Sequence, residues 1–104
     1  MGQFDVHRNP NPATRSAYPY LVDVQSPLFG NLATRVVIPL AISMDSGDVL
    51  ERLTPHMVVD GDRLLLMTPQ LAGVAPGALG EFVTSLADQR DLIVGALDFL
   101  LTGS

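Results

Sequence analysis

The chain lacks three residue types altogether: cysteine, lysine and tryptophan. Without cysteine it forms neither disulfides nor thiolate metal sites, and it has no cysteine nucleophile. Without lysine it carries neither a Walker A phosphate loop nor a Schiff-base amine. These absences exclude several common classes of enzyme before any pattern is considered.

Charged residues are scarce as well. They make up 16% of the 104 residues, against about 25% in an average domain, while hydrophobic residues make up 47%. We expect one domain, residues 1–104, whose small core leaves apolar surface for a homodimer to cover. The net charge of −5 rests on six Arg against eleven acidic residues, which disfavours direct nucleic-acid binding and suits a basic partner.

Long apolar runs are absent too. No stretch approaches the roughly 18 apolar residues of a membrane span, and the N-terminus lacks the basic and apolar segments of a signal peptide. The sequence therefore predicts a cytoplasmic protein, and no pattern in it calls for a cofactor.

The first two thirds of the chain predict strands. Segments 3–7, 20–24 and 34–41 have strand-like composition, and residues 8–19, with three prolines, predict an exposed loop. Pro39 donates no hydrogen bond, so we expect the third strand to lie at a sheet edge or to end in a bulge. Two further strands flank Asp60-Gly61, a pair typical of a tight hairpin turn.

The last third predicts a helix of about five turns, because apolar residues recur there at spacings of three, four and seven. Strands followed by one terminal helix indicate an α+β fold with an antiparallel sheet. Segment 42–53 stays ambiguous between a loop and a short helical turn. The apolar positions of the predicted helix are Leu79, Phe82, Leu86, Ile93, Leu97 and Leu100.

Candidate catalytic residues are few. His7 and His56 fall in strand-like runs and are interpreted as ordinary strand residues rather than metal ligands. Asp60 and Asp62 are explained by the hairpin turn, since Asp is favoured in turns. We therefore predict no catalytic residue and no metal site, and the residues alone indicate a small partner-binding module.

Two surface features remain. Asp88, Asp91 and Asp98 form an acidic stripe on the predicted helix, which is either a solvated face or a docking surface for a basic segment. Leu28 and Phe29 are large apolar residues in a turn. They either fold back onto the core or lie at an interface.

Four short segments follow one another along the chain. They are Val22-Asp23-Val24-Gln25-Ser26, Val37-Ile38-Pro39-Leu40, Gly61-Asp62 and Met67-Thr68. Taken in this order they resemble the CcdB family of toxins, and similar features extend from Phe4 to the final helix. The resemblance implies a small SH3-like barrel of antiparallel strands with one long C-terminal helix, assembled as a homodimer.

The resemblance also implies a function. Such a protein is the toxin of a type II toxin–antitoxin module: it binds the A subunit of DNA gyrase, traps the cleavage complex and is not an enzyme. A cognate antitoxin with a disordered arm neutralises it, and it meets nucleic acid only through the antitoxin complex, which represses its own operon.

The implied gyrase contact uses two parts of the chain. Gly103 matches the C-terminal motif of the family, whereas Thr102 and Ser104 stand where the family has Trp and Ile. For antitoxin binding we expect Leu28, Phe29, Asp88 and Asp91, because the chain is acidic and the turn is apolar. The gyrase-binding residues implied by the resemblance are Ser26, Leu28, Phe29, Asp98, Leu101, Thr102, Gly103 and Ser104.

Two alternatives stay open. One is a CcdB-like protein that is non-toxic or directed at another target and keeps only partner binding. The other is an endoribonuclease toxin of the same barrel fold. Six Arg in a chain of net charge −5 supply a basic groove poorly, so the ribonuclease is the weaker alternative.

Overall fold

The computed structural model describes residues 2–42 and 51–103, and within them the chain forms seven strands, four short 3₁₀ turns and one α-helix. The 3₁₀ turns are Pro27–Phe29, Thr68–Gln70, Pro76–Ala78 and Ala87–Gln89. The strands are β1 (Asp5–Arg8), β2 (Tyr20–Asp23), β3 (Arg35–Ile42), β4 (His56–Val59), β5 (Asp62–Leu66), β6 (Ala72–Val74) and β7 (Phe82–Ser85), and the helix is α1 (Arg90–Thr102).

The strands form one curled antiparallel sheet in the order β4-β5-β3-β2-β1-β7, with β6 paired to β3. Every strand pair is antiparallel. The predicted α+β class is confirmed. The structure is a curled antiparallel half-barrel with one C-terminal helix.

The core combines the inward face of the sheet with one face of α1. Val22 on β2, Ile38 on β3 and Ile93 on α1 are fully buried, as is Leu86 just before the helix. These side chains belong to one cluster, so burial of α1 is what closes the sheet on that side.

The hairpin predicted at Asp60-Gly61 is confirmed. β4 and β5 are joined by these two residues, and Val59 pairs with Asp62 across the turn. Both turn residues have positive φ, 50° for Asp60 and 84° for Gly61, which is the conformation that two-residue hairpins require.

The expectation that β3 lies at a sheet edge is wrong, because β3 is central: it pairs with β2 on one side and with β6 and β5 on the other. Residues 35–37 pair with β6 and residues 40–42 with β5. Pro39 lies between these two stretches, and its carbonyl accepts a hydrogen bond from Met67 N at 2.9 Å. Proline is tolerated inside the sheet here because it occupies the position where β3 changes partner.

The predicted helix starts too early. Residues 82–85 form β7, which pairs with β1, and α1 begins only at Arg90 and has 13 residues. Phe82, Val83 and Thr84 are aromatic and β-branched, and such residues favour strands when a partner strand is present. The helical spacing from Leu79 to Leu86 is therefore coincidental.

His7 is buried beside Val6, although neighbouring residues of a regular strand face opposite sides. The pairing register with β7 shifts between these two residues, which is a β-bulge. The bulge turns His7 inward, where its ring packs edge-on against Phe82 at 6.1 Å and Nδ1 donates to the Gly80 carbonyl oxygen at 3.2 Å.

Two other expectations concern loops. The exposed loop predicted at residues 8–19 lies largely on the surface. Its first two residues depart from the prediction, because Arg8 belongs to β1 and Asn9 is buried. The ambiguous segment 42–53 lies mostly outside the described residues, since residues 43–50 are not among them.

Gly80 provides a test of how tightly the loop before β7 packs against β1. A Cβ at Gly80 would lie 2.5 Å from the Arg8 carbonyl oxygen, whereas a Cβ at Gly73 would meet nothing within 4 Å. We expect Gly80→Ala to lower the free energy of unfolding by about 1–3 kcal/mol and Gly73→Ala to change it by less than about 0.5 kcal/mol. Urea unfolding followed by circular dichroism measures both, and equal losses would contradict the close approach.

Candidate functional site

A buried ion pair joins β2 to the start of β3. Arg35 donates from Nε to Asp23 Oδ2 at 3.0 Å, and its Nη2 contacts the same oxygen. The Asp23 side chain is completely buried and the Arg35 side chain nearly so. Asp23 Oδ1 accepts from the Gln25 backbone N–H at 3.0 Å, so both carboxylate oxygens are satisfied, as a buried charge requires.

Gln25 extends this network to the turn after β2. Its side-chain Oε1 accepts from Val36 N at 3.0 Å, and its Nε2 donates to the Phe29 carbonyl oxygen at 2.6 Å. Gln25 is itself buried. The backbone of the turn is thereby fixed to β3 through one side-chain amide.

The segment held in this way, residues 26–32, is here called the apolar turn. Ser26 caps its 3₁₀ helix, since the Ser26 hydroxyl accepts from Leu28 N at 3.2 Å. Leu28 is 87% exposed, and Phe29 and Leu32 are each 54% exposed. Of the two interpretations of Leu28 and Phe29, burial in this chain's own core is therefore excluded, and both residues expose apolar area on the surface.

The end of α1 forms the second candidate region. Gly103 has a φ of 72° and donates from N to the Phe99 carbonyl oxygen at 2.9 Å, which is the left-handed motif that ends helices. Thr102 is the last helical residue, and its hydroxyl donates to the Asp98 carbonyl oxygen at 2.6 Å. Leu101 is 75% exposed. Ser104 lies outside the described residues.

The acidic stripe lies on the solvent side of the same region of the chain. Asp88 is in the 3₁₀ turn before α1, Asp91 is in the first turn of the helix, and Asp98 is near its end. All three are exposed. Asp91 and Asp98 are about 10 Å apart along the axis, since each helical residue rises 1.5 Å.

The predicted site residues thus fall into three groups on separate elements. Ser26, Leu28 and Phe29 belong to the apolar turn, and the hydrogen bonds described for its backbone connect it only to residues 25–32. Asp88 and Asp91 lie at the start of the helix region, whereas Asp98 lies near its end, next to Leu101, Thr102 and Gly103.

The structure adds Asp23, Gln25 and Arg35, which the sequence interpretation did not assign to the site. They are not exposed, but they fix the exposed turn. A signal for them was present: Asp23 is a charge between two valines in a strand, and Arg35 opens the next strand. Lone charges in buried strands are almost always paired, so these two were candidates for each other.

The residues interpreted as non-catalytic are also placed. His7 and His56 lie in β1 and β4, as predicted. Within residues 2–42 and 51–103, no three His, Cys, Asp or Glu side chains gather where they would hold a metal ion. In that same part of the chain, no helix has the length and apolarity that crossing a membrane requires.

The buried ion pair can be tested by removing one partner. Arg35→Met leaves the Asp23 carboxylate buried and uncompensated, so we expect a loss of about 3–5 kcal/mol in the free energy of unfolding. The double change Asp23→Leu with Arg35→Met removes both charges and should cost less than Arg35→Met alone. Arg63→Met, the same change on an exposed arginine, should alter stability by less than about 0.5 kcal/mol.

Urea unfolding of the four proteins measures these differences. A double variant that is less stable than Arg35→Met would show that the lost packing of arginine, rather than the stranded charge, causes the loss.

The chain is similar in sequence to a known protein family. The chain matches the CcdB protein family over residues 3–103, which is nearly its whole length. The match includes the strand and turn that carry the buried network and the helix that ends at Gly103. Members of this family are toxins of toxin–antitoxin systems and pair with antitoxins. On this match and this fold, the chain belongs to the CcdB family.

Proposed function

We propose that this toxin acts by binding the A subunit of DNA gyrase and trapping its cleavage complex, without being an enzyme. The proposal includes a single domain over residues 1–104, a homodimer and action in the cytoplasm, where gyrase works. One observation carries it: the apolar turn exposes two large side chains, Leu28 and Phe29, on a backbone held by the side chain of the buried residue Gln25. A preorganised apolar projection is what a tight protein contact requires.

The end of α1 supplies the second part of the proposed contact. Leu101 is exposed, and Gly103 turns the chain out of the helix at the position where the family motif also has glycine. Thr102 presents a hydroxyl instead of an indole, and that hydroxyl already donates to the backbone carbonyl oxygen of Asp98. We therefore assign more of the gyrase contact to the apolar turn and to Leu101 than to Thr102.

The antitoxin is proposed to bind Leu28, Phe29, Asp88 and Asp91. Its binding to the apolar turn would cover the same side chains that contact gyrase, so neutralisation follows from competition. The exposed carboxylates and the net charge of −5 favour a partner segment that carries positive charge.

No observation on the described residues favours the endoribonuclease. The basic residues are distributed: Arg35 is buried in the ion pair, and Arg8, Arg52 and Arg90 lie over the rings of Tyr20, Phe99 and Phe4. The non-toxic or retargeted alternative is decided by the experiments that follow.

The gyrase contact is tested by inducing the chain in host cells and by a supercoiling and cleavage assay with the host's own gyrase. We expect growth arrest and trapped cleaved DNA. Phe29→Ala should raise the concentration for half-maximal cleavage at least about tenfold, because a buried aromatic at an interface contributes about 2 kcal/mol or more. Phe82→Ala is the matched control, since Phe82 is 53% exposed and Phe29 54%.

Absence of both growth arrest and trapped complex would overturn gyrase poisoning and favour the non-toxic or retargeted alternative. Cleaved RNA in the same cells would favour the ribonuclease. Replacing two residues by those of the family motif, Thr102→Trp with Ser104→Ile, should lower the concentration of toxin for half-maximal DNA cleavage if the end of α1 contacts gyrase.

Antitoxin binding is tested separately by measuring the affinity of the purified toxin for its cognate antitoxin. Phe29→Ala combined with Asp91→Ala should weaken binding at least about tenfold, through lost apolar area and lost charge. The control pair, Phe82→Ala with Asp62→Ala, removes an equally exposed phenylalanine and another exposed carboxylate. Unchanged affinity in the first pair would refute the assigned surface.

A further inference from the structure

A pocket lies beside α1, and none of its lining residues belongs to the apolar turn. It has a volume of about 300 Å³ and is here called the α1 pocket. That volume is at the lower limit of small-molecule sites, which suits a single side chain rather than a whole ligand. Its lining residues are Glu51, Arg52, Pro55, Leu92, Gly95 and Ala96.

Gly95 leaves one side of the α1 pocket without a side chain. A Cβ at Gly95 would meet nothing within 4 Å, so the helix has open space at this position. Glycine in a helix interior costs about 1 kcal/mol relative to alanine, and no positive φ requires it here. Leu92, one turn earlier, is 49% exposed and adds an apolar wall. The glycine destabilises the helix and leaves an apolar hollow.

Two contacts connect the helix region to the part of the chain around β4, whose preceding segment, residues 51–55, lines the pocket. Towards the start of the helix region, the Gln89 side chain bridges the edge of β4: its Oε1 accepts from Val58 N and its Nε2 donates to Val58 O, both at 3.2 Å. Towards the end of α1, the Arg52 guanidinium lies over the Phe99 ring at 4.4 Å. From Gln89 to Phe99 the helix rises about 15 Å, so the hollow has fixed ends.

The charge around the α1 pocket is unequal. Glu51, Asp88 and Asp91 are exposed, and among the described residues none of the three is in an ion pair. Arg52 lines the pocket with its charge, its guanidinium over the Phe99 ring, and Arg90 lies over the Phe4 ring, so the three carboxylates exceed these two cations by one. An apolar floor with carboxylates at its margin complements an apolar side chain flanked by basic ones.

We propose that the α1 pocket receives one apolar side chain from a partner segment whose neighbouring residues are basic. The assignment of that segment to the antitoxin rests on the proposed function. The α1 pocket shares no residue with the apolar turn, so the antitoxin would contact the toxin at two sites. Two linked contacts raise the overall affinity beyond either contact alone.

The chemistry of the pocket is tested with blocked pentapeptides and the full-length protein, by following backbone amide shifts in nitrogen-15 spectra. The probe is Arg-Ser-Leu-Ser-Arg; one control replaces Leu with Ser, and the other replaces both Arg with Glu. We expect the probe to bind with a Kd in the millimolar range and to shift Leu92, Gly95 and Ala96, and each control to bind at least about fivefold more weakly.

Gly95→Leu fills the pocket while improving helix propensity, so the fold should persist and the shifts should disappear. Gly77→Leu is the matched control, because a Cβ there also meets nothing within 4 Å. If the probe shifts none of the pocket residues at about 10 mM, or if the glutamate peptide binds equally well, the proposed chemistry is overturned.

The assignment to the antitoxin has its own measurement. Gly95→Leu should weaken binding of the cognate antitoxin at least about tenfold while Gly77→Leu leaves it unchanged. Peptide binding without this loss would overturn the antitoxin as occupant. Absence of toxicity in the unmodified chain would instead be a failure of the proposed function, and it would leave the peptide result standing.

Discussion

The buried ion pair between Asp23 and Arg35 is the interaction on which the candidate site depends. Asp23 uses one carboxylate oxygen for Arg35 and the other for the Gln25 backbone, and Gln25 in turn holds Phe29 and Val36. A buried pair of this kind adds little net stability over well-packed apolar residues. Its role is instead to fix where the chain leaves the sheet, and thereby where Leu28 and Phe29 project.

Local chemistry explains which parts of the fold were predictable from the sequence. The hairpin at Asp60-Gly61 follows from two residues that accept positive φ, and β2 follows from its composition. The errors at Pro39 and at residues 82–85 have a common cause. In both places the structure is decided by which distant strand lies alongside, and a spacing pattern within one segment carries no information about that.

The candidate site shows the same division. Candidate residues could be named, because large apolar residues in a turn and closely spaced acidic residues are visible in the sequence, but the sequence left open whether Leu28 and Phe29 are buried or exposed. The groups that hold them could not be named: Gln25 reaches Val36 and Gln89 reaches Val58, contacts separated by 11 and 31 residues. These contacts depend on strand register and on where α1 begins, and the sequence interpretation placed that start too early.

Residues at the end of α1 differ in what they indicate: some bear on the fold and others on the binding target. Gly103 matches the family motif, but its left-handed φ and its bond to Phe99 explain that glycine by backbone geometry alone. Thr102 differs, and its side chain is not needed to end the helix. A match at Gly103 therefore supports the fold, whereas only the exposed side chains bear on the target. Those exposed side chains include Leu28 and Phe29 on the apolar turn and Leu101 and Thr102 on the helix, so the target proposed for this toxin depends on residues other than the matching glycine.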